Sequence, residues 1–476
     1  QSLAYAYDEK GDLASETDAL GRVTSYAYDK MHRLTSVTDA ALGVTRMAYD
    51  ESGNLAEIVS PEGRAQRYAY DALDRVTQTL DPMGELTQYV YDAVGNLTQI
   101  TEPDSRTTSI SYDANGNITQ ITDALGQTVS FTYDSMDRVL SAADAKGART
   151  SYAYDLGGRL LSETDALGGL TQYLYDANGN VTAITDAENR ETSFAYDALD
   201  RLVGVADGTG AQTAYAYDAV GSLVSRTNGS GNTTSYEYDL AGRLTGETNA
   251  KGETTTNAYN AAGSLVNTTL PSGKEIAYDY DALDRLVEKS YSAGETGVTV
   301  AYNADGELVS MRDATGDSTF TYDDAGRLAS YTNAFSATVG YAYNENGEIS
   351  AITYPDGKTV FYEYDALGRM AKVTGRDGGE TRYEYDAQNH VTRVTRADGS
   401  VTTAEYDALG RVGTLTNFDG AGAEVSSFAY TYDATGNIVT ETVSMDGETV
   451  ERSYAYTGRG ELASVTENGE TTAYTY

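Results

Sequence analysis

A tyrosine followed by an aspartate returns along this chain at an interval that hardly changes. The tyrosine stands at Tyr7, Tyr28, Tyr49, Tyr70, Tyr91 and onward to Tyr280, every step being 21 residues. The series continues at Tyr302, Tyr322, Tyr343, Tyr364, Tyr385 and Tyr406, with one step of 22 offset by one of 20. It loosens only at Tyr432, Tyr456 and Tyr476. A unit this short cannot bury a core alone, so each copy must draw its stability from its neighbours. Nothing lies outside the register. Residues 1–476 therefore read as a single continuous array, with no linker and no second domain. Both ends fall inside the pattern, which suggests a segment of a longer repeat protein.

Each unit holds two turn signals about ten residues apart. The first follows the tyrosine, as in Asp92-Ala93-Val94-Gly95, and the second lies mid-unit, as in Asp18-Ala19-Leu20-Gly21. Asp opening a type I turn, with Gly in the left-handed position three residues later, is a hairpin loop closed by a G1 bulge. Where the first turn lacks that Gly, the slot holds His32, Asp74, Asp137, Asp200, Asp284 or Asn389. These are the residue types that best tolerate positive φ. Between turns lie alternating stretches rich in Thr, Val, Tyr and Ile, which read as strands. In Thr24-Ser25-Tyr26-Ala27-Tyr28, Thr24 and both tyrosines share a face. Six residues after each anchor tyrosine stands an aliphatic residue, from Leu13, Leu34 and Leu55 to Leu462.

The expected fold is all-β: one antiparallel hairpin meander of roughly 45 strands, with a Tyr/Leu face and a small or polar face. Such a ribbon would be roughly 210 Å long and about 20–25 Å wide. Strand twist and the need to remove its apolar face from water should coil it into a spiral shell, a tube or a solenoid-like rod.

Composition excludes most chemistry. There is no Cys, and His32 and His390 are the only imidazoles. Thiolate zinc sites, disulfides and most familiar catalytic constellations are thereby removed. A formal charge of −39 repels phosphate backbones and anionic headgroups, so no nucleic-acid partner is expected. No apolar run is long enough to span a membrane, and Gln1 opens no signal peptide. No membrane insertion is expected.

The repeated Tyr-Asp-x-x-Gly-Arg-Leu, with a Thr-Asp-x-x-Gly about ten residues on, resembles the YD repeat of RHS/YD-repeat proteins. Tyr364–Met370 and Tyr406–Val412 match it closely, and the motif covers the whole chain in some 22 units. The resemblance implies a β-hairpin ribbon winding into a hollow shell, in secreted or surface-attached proteins. Such proteins include polymorphic toxins, insecticidal toxin-complex cocoons and teneurins, and the family is also described as carbohydrate-binding. Toxin-bearing relatives end their shell with a core segment rich in Asp-Pro-x-Gly-Leu. Here the nearest match, Asp81-Pro82-Met83-Gly84-Glu85, sits in an ordinary second turn.

A second period lies within the first. Five residues after the anchor, alternate repeats give Arg33, Arg75, Asn117, Arg159, Arg201, Arg243, Arg285, Arg327, Arg369 and Arg411. The repeats between give Asp12, Asn54, Asn96, Arg138, Asn180, Ser222, Ser264, Glu307, Glu348 and His390. Pro61, Pro103, Pro271 and Pro355 are likewise separated by multiples of 42. Duplication of a two-repeat cassette accounts for this, and so do alternate hairpins in different surroundings. In a continuous sheet, the tract Arg285, Glu307, Arg327, Glu348, Arg369 would place opposite charges about 9.6 Å apart, for weak pairing at most.

The row of Asp after each tyrosine is better explained by turn capping than by calcium, since Asn260, Asn303, Asn344 and Thr457 replace it elsewhere. Carboxylate pairs such as Asp279 and Asp281 recur in nearly every repeat, whereas a catalytic site must differ from its surroundings. No catalytic, cofactor-binding or metal-ligating residue is assigned, and no enzyme activity is expected. Tyrosine pairs such as Tyr5/Tyr7 and Tyr383/Tyr385 read as cross-strand stacking ladders. The long steps after Tyr406, with extra length around Phe418–Ser426, read as hairpins that project towards a cap or another subunit. The expected role is a structural scaffold, secreted or at the cell surface: a shell, tube or filament. Its partners would be itself or further YD repeats. Rival readings are a toxin-encapsulating shell, whose partner is an enclosed polypeptide, and a glycan-binding adhesin.

Overall fold

The computed structural model describes residues 3–292 and 294–475, so the last anchor, Tyr476, lies outside the described residues. Among them the chain is all-β: 45 antiparallel strands in one sheet. Sequence neighbours pair as hairpins, for example Ala4–Tyr7 with Leu13–Thr17 and that strand with Val23–Tyr28.

The turns take the expected form for a local reason. Asp8 N–H donates to Asp12 O at 2.9 Å and Gly11 N–H to Asp8 O at 3.1 Å. The Asp8 carboxylate accepts the N–H groups of Lys10 and Asp12 through one oxygen. His32, Asp74, Asp137, Asp200, Asp284 and Asn389 all have φ between 59° and 69°, as the sequence predicts. Leu42 also takes the left-handed position, at φ 71°, with Gly43 displaced to the next place. The 21-residue register fixes the loop at this length, so its third residue must adopt positive φ whatever its type.

One feature departs from simple alternation. Ala6 faces Ser15 while Tyr7 faces Leu13, so Ala14 is an extra residue on its strand. The same bulge recurs opposite Tyr28, Tyr49, Tyr70 and later anchors. It places the sixth and ninth residues after the tyrosine on one face: Leu34 and Val37 stand opposite Tyr28 and Tyr26, and Leu55 and Ile58 opposite Tyr49 and Met47. The apolar spacing of three in Leu55-Ala56-Glu57-Ile58 or Ile118-Thr119-Gln120-Ile121 is the signal that reveals it.

The Tyr/Leu face is the better covered one: in Val23–Tyr28, Thr24, Tyr26 and Tyr28 are half-buried while Val23, Ser25 and Ala27 are exposed. Yet the face does not leave water as the apolar-burial argument requires. Among the described residues only Ala183 and Val360 are buried apolar residues, and neither is completely covered. The anchor tyrosines reach across the sheet surface instead, as Tyr49 Oη does to Leu34 O and Tyr70 Oη to Leu55 O, each at 2.8 Å.

Contacts divide the chain into two compact units. The first comprises Gln1–Tyr91, Ile100–Arg106 and Thr234–Thr359, and the second Asp92–Gln99, Thr107–Thr233 and Val360–Tyr476. In each, an early and a late stretch of the ribbon, some 240–250 residues apart, meet along their turns.

Candidate functional site: the turn seams

The first turn of a repeat is built as a clamp. Arg75 Nε donates to Asp71 Oδ2 at 2.7 Å, and the guanidinium lies 4.7 Å from the centroid of the Tyr91 ring. Tyr91 Oη donates in turn to the carbonyl of Val76 at 2.9 Å. The same arrangement joins Arg33 to Tyr49, Arg201 to Tyr217 and Arg369 to Tyr385. Arg138 adds a hydrogen bond to the carbonyl of Asp155, in the next first turn. Each Arg thus ties its own turn to the next anchor. Its cation holds the Asp71 carboxyl below the ordinary range, together with backbone N–H groups, while burial pushes the Tyr70 phenol up.

In these repeats a guanidinium takes the place of the expected ring-on-ring contact, while Phe320 and Tyr331, paired across strands, keep their ring centroids 5.2 Å apart. Where the slot five after the preceding anchor holds Arg, the anchor ring takes its guanidinium, and in one repeat an imidazole takes that place: His390 stacks on Tyr406 at 4.6 Å and stands 3.3 Å from Asp386. His32 occupies its left-handed turn position with Nδ1 2.7 Å from Asp12. Of the carboxylate pair beside Tyr280, Asp281 is held by Arg285 at 2.7 Å, whereas Asp279 is exposed on a strand opposite Glu288. The two are not brought together.

The seams use the same chemistry over long range. In the first unit, the second turn Ser60–Arg64 meets the first turn Asn303–Glu307. Arg64 binds Asp305 and Glu307, each at 2.8 Å. Ser60 Oγ and the Glu62 N–H also donate to Asp305, and the Ala304 N–H donates to Glu62. A two-repeat step further on, Arg106 meets Glu348 at 3.1 Å. In the second unit, Lys146 meets Asp386 at 2.5 Å and the Gln388 amide donates to Asp144. Glu188 accepts from the Ala434 N–H at 2.9 Å, and Arg459 reaches Asp207 at 2.8 Å. Burial raises the Asp386 carboxyl, but Lys146 and the N–H groups of His390 and Gln388 more than offset it, leaving a pKa of about 2.

These contacts give the doubled period a physical meaning. Arg285, Arg327 and Arg369 bind their own Asp281, Asp323 and Asp365. Glu307 and Glu348 bind Arg64 and Arg106 from the other stretch. The expected weak ladder along one rim therefore does not form. Sequence reading missed Arg64, Arg106 and Lys146 as contact residues, because nothing local marks a partner some 240 residues away. The basic residue closing Pro61-Glu62-Gly63-Arg64 and Pro103-Asp104-Ser105-Arg106 was the available signal.

The repeated Tyr-Asp turn and its clamp coincide with what family models recognise. An RHS Repeat model matches residues 7–45, 49–82, 217–254, 259–296, 302–338, 343–381, 364–401 and 385–421, together more than half of the chain. The chain belongs to the RHS/YD-repeat family. A Teneurin YD-shell model matches residues 69–220 of this YD-repeat chain. Among solved structures, TcdB2-TccC3 is similar with a TM-score of 0.68 at 15% identity, over 97% of this chain and 30% of that one. TcdB2-TccC3 without its hypervariable C-terminal region gives 0.61 at 14%, over 98% and 37%. The Photorhabdus luminescens Tc holotoxin pore gives 0.57 at 14%, over 98% and 31%. The YD-repeat chain thus spans about a third of the structures it resembles, and at these identities the likeness is one of fold. No curated protein matches the sequence.

Proposed function

We propose that this YD-repeat chain is a stretch of wall in an extracellular shell or scaffold, and that it acts by its architecture rather than by catalysis. The observation that carries the reading is the reuse of one turn chemistry. The Asp and Arg that join each repeat to the next have counterparts, Arg64 with Asp305 and Glu307, that join the ribbon to itself. A chain whose recurring polar groups are absorbed in this way has its charge invested in holding a surface together. An extracellular place fits the resemblance, and the chain would form part of a longer protein.

Encapsulation of a polypeptide is the form of shell we favour: one of the similar structures is a TcdB2-TccC3 complex named as lacking its hypervariable C-terminal region, so a variable segment accompanies a shell of this fold there. One feature of this chain supports it: the Tyr/Leu face stays half-exposed along the ribbon, offering aromatic and aliphatic contacts to a non-native segment. Cryo-electron microscopy of the purified native protein tests the proposal. Hollow closed particles would support the encapsulating shell, and uniform rods or tubes the open scaffold. Solid particles without a ribbon wall would sink both.

A further inference from the structure

Along the seam of the first unit, Arg64 and Glu307 are 243 residues apart and Arg106 and Glu348 are 242 apart, about eleven and a half repeats. Each of these residues closes its turn, its carbonyl accepting the first N–H of the loop. At the same offset the turns before and between them bring Gly43 opposite Arg285 and Glu85 opposite Arg327. Glu85 and Arg327 line one cavity of about 600 Å³. The second unit keeps the pattern, with the turn Asp144–Ala148 meeting Asp386–His390. There Gln127 and Gly169 fall opposite Arg369 and Arg411, and Arg190 opposite Asn437. The closing arginines of the early and late edges are thus out of phase. In neither unit does a closing arginine fall opposite another, nor a closing carboxylate opposite another.

One repeat is two strands, about 9.6 Å along the edge. Between the turns that hold Arg64 and Glu307 lie 23 strands, from Ala65–Tyr70 to Val298–Tyr302. Twist varies from strand to strand, and a small error at each adds up over that length to a whole repeat. The charges resolve what twist leaves open. A slip of one repeat either way would set Arg64 against Arg285 or Arg327, and Glu85 against Glu307 or Glu348. Arg64 would lose Asp305 and Glu307 and gain no free carboxylate, because Asp281 and Asp323 already hold Arg285 and Arg327. Neither of those arginines can swing aside, since each guanidinium also lies over a ring, that of Tyr302 or Tyr343. A slip of two repeats would restore opposite charges, so the charges reject the near misses and twist the distant ones.

We propose that the charged residues closing alternate turns are a register lock. Among the meeting points that twist allows, they select the one at which the ribbon closes on itself. The partner that fits an early edge is a run of first turns whose closing charges alternate out of phase with its own. This role rests on the reading of the chain as a wall held by its seams.

The chain has no cysteine, so a cross-link between two introduced ones reports the register in the whole protein. Glu62→Cys is combined in turn with Ala304→Cys, Asp324→Cys and Ala282→Cys, the same place in neighbouring late first turns, and treated with a short bismaleimide. With the closing charges intact, the Ala304→Cys pair should give about tenfold more product than either other pair, or better. Inverting the early line with Arg64→Glu, Glu85→Arg and Arg106→Glu should move the product to Asp324→Cys or Ala282→Cys. Neutralising it with Arg64→Gln, Glu85→Gln and Arg106→Gln should divide the product among the three pairs. Gln127 shows that the slot accepts glutamine, so this variant decides the matter should the inverted one fail to fold. If either variant keeps to Ala304→Cys as strongly as the parent does, twist alone sets the register and the lock is overturned. Loss of all three products in the neutral variant overturns it as well, because the charges would then close the seam without choosing its place. Failure of the Ala304→Cys pair with the charges intact is a different result: the seam would fall, and with it both the lock and the wall reading.

Discussion

The early and late first turns share a sequence pattern and live in different surroundings. Tyr70-Asp71-Ala72-Leu73 and Tyr364-Asp365-Ala366-Leu367 carry the same residues, and both bind an Arg four places beyond the Asp. Yet Leu73 stands in solvent while Leu367 is half-buried. A repeat fixes what a hairpin is. It does not fix which hairpins become neighbours across a seam, because that depends on where the ribbon meets itself.

The comparison is broken most directly at the seam. Arg64→Ala strips Asp305 and Glu307 of their shared cation at a position that is 17% exposed, and should destabilise the first unit by about 2–3 kcal/mol. Arg75→Ala, which removes a cation from a local clamp only, should cost distinctly less. Urea unfolding of the two variants decides it, and equal losses would mean the seam contributes nothing special. Acid should separate the regions next. Asp386 has its folded pKa depressed from 3.8 to about 2, so its contribution is full above the unfolded value and fades as pH falls through that interval. The loss should be about 1–2 kcal/mol, and Lys146→Gln should remove most of it. Thermal melts along a pH series would reveal an unchanged acid limb if the pair does not matter.

Apolar truncation sharpens the contrast further. Leu367→Ala should cost about 1 kcal/mol and Leu73→Ala less than about 0.5 kcal/mol, because only the first removes covered surface. The smallest effect is local: Leu42→Gly should gain up to about 1 kcal/mol by relieving a left-handed leucine at φ 71°. A loss of stability there would show that the exposed side chain makes a contact of its own.

How far the sequence could be read follows from the range of each interaction. The turns were legible because their hydrogen bonds close within five residues, from Asp8 to Asp12, and only certain side chains accept positive φ. The bulge was missed although its apolar spacing of three was present, since two-residue alternation fits most of the same strand. The role of Arg33, Arg75 and their successors was only half legible: the pairing with Asp is local, but the tyrosine it covers belongs to the next repeat.

The residues alone therefore determined an antiparallel hairpin ribbon, its 21-residue period, its turn chemistry and its two unlike faces, because all of these arise between neighbours in the chain. Only the tertiary structure decided that Glu307 answers Arg64 and Asp386 answers Lys146, and that Pro61 is covered while Pro271 is not. Those outcomes depend on how the twist of many strands accumulates before the ribbon meets itself. A small angle repeated over some 240 residues is written in no single repeat.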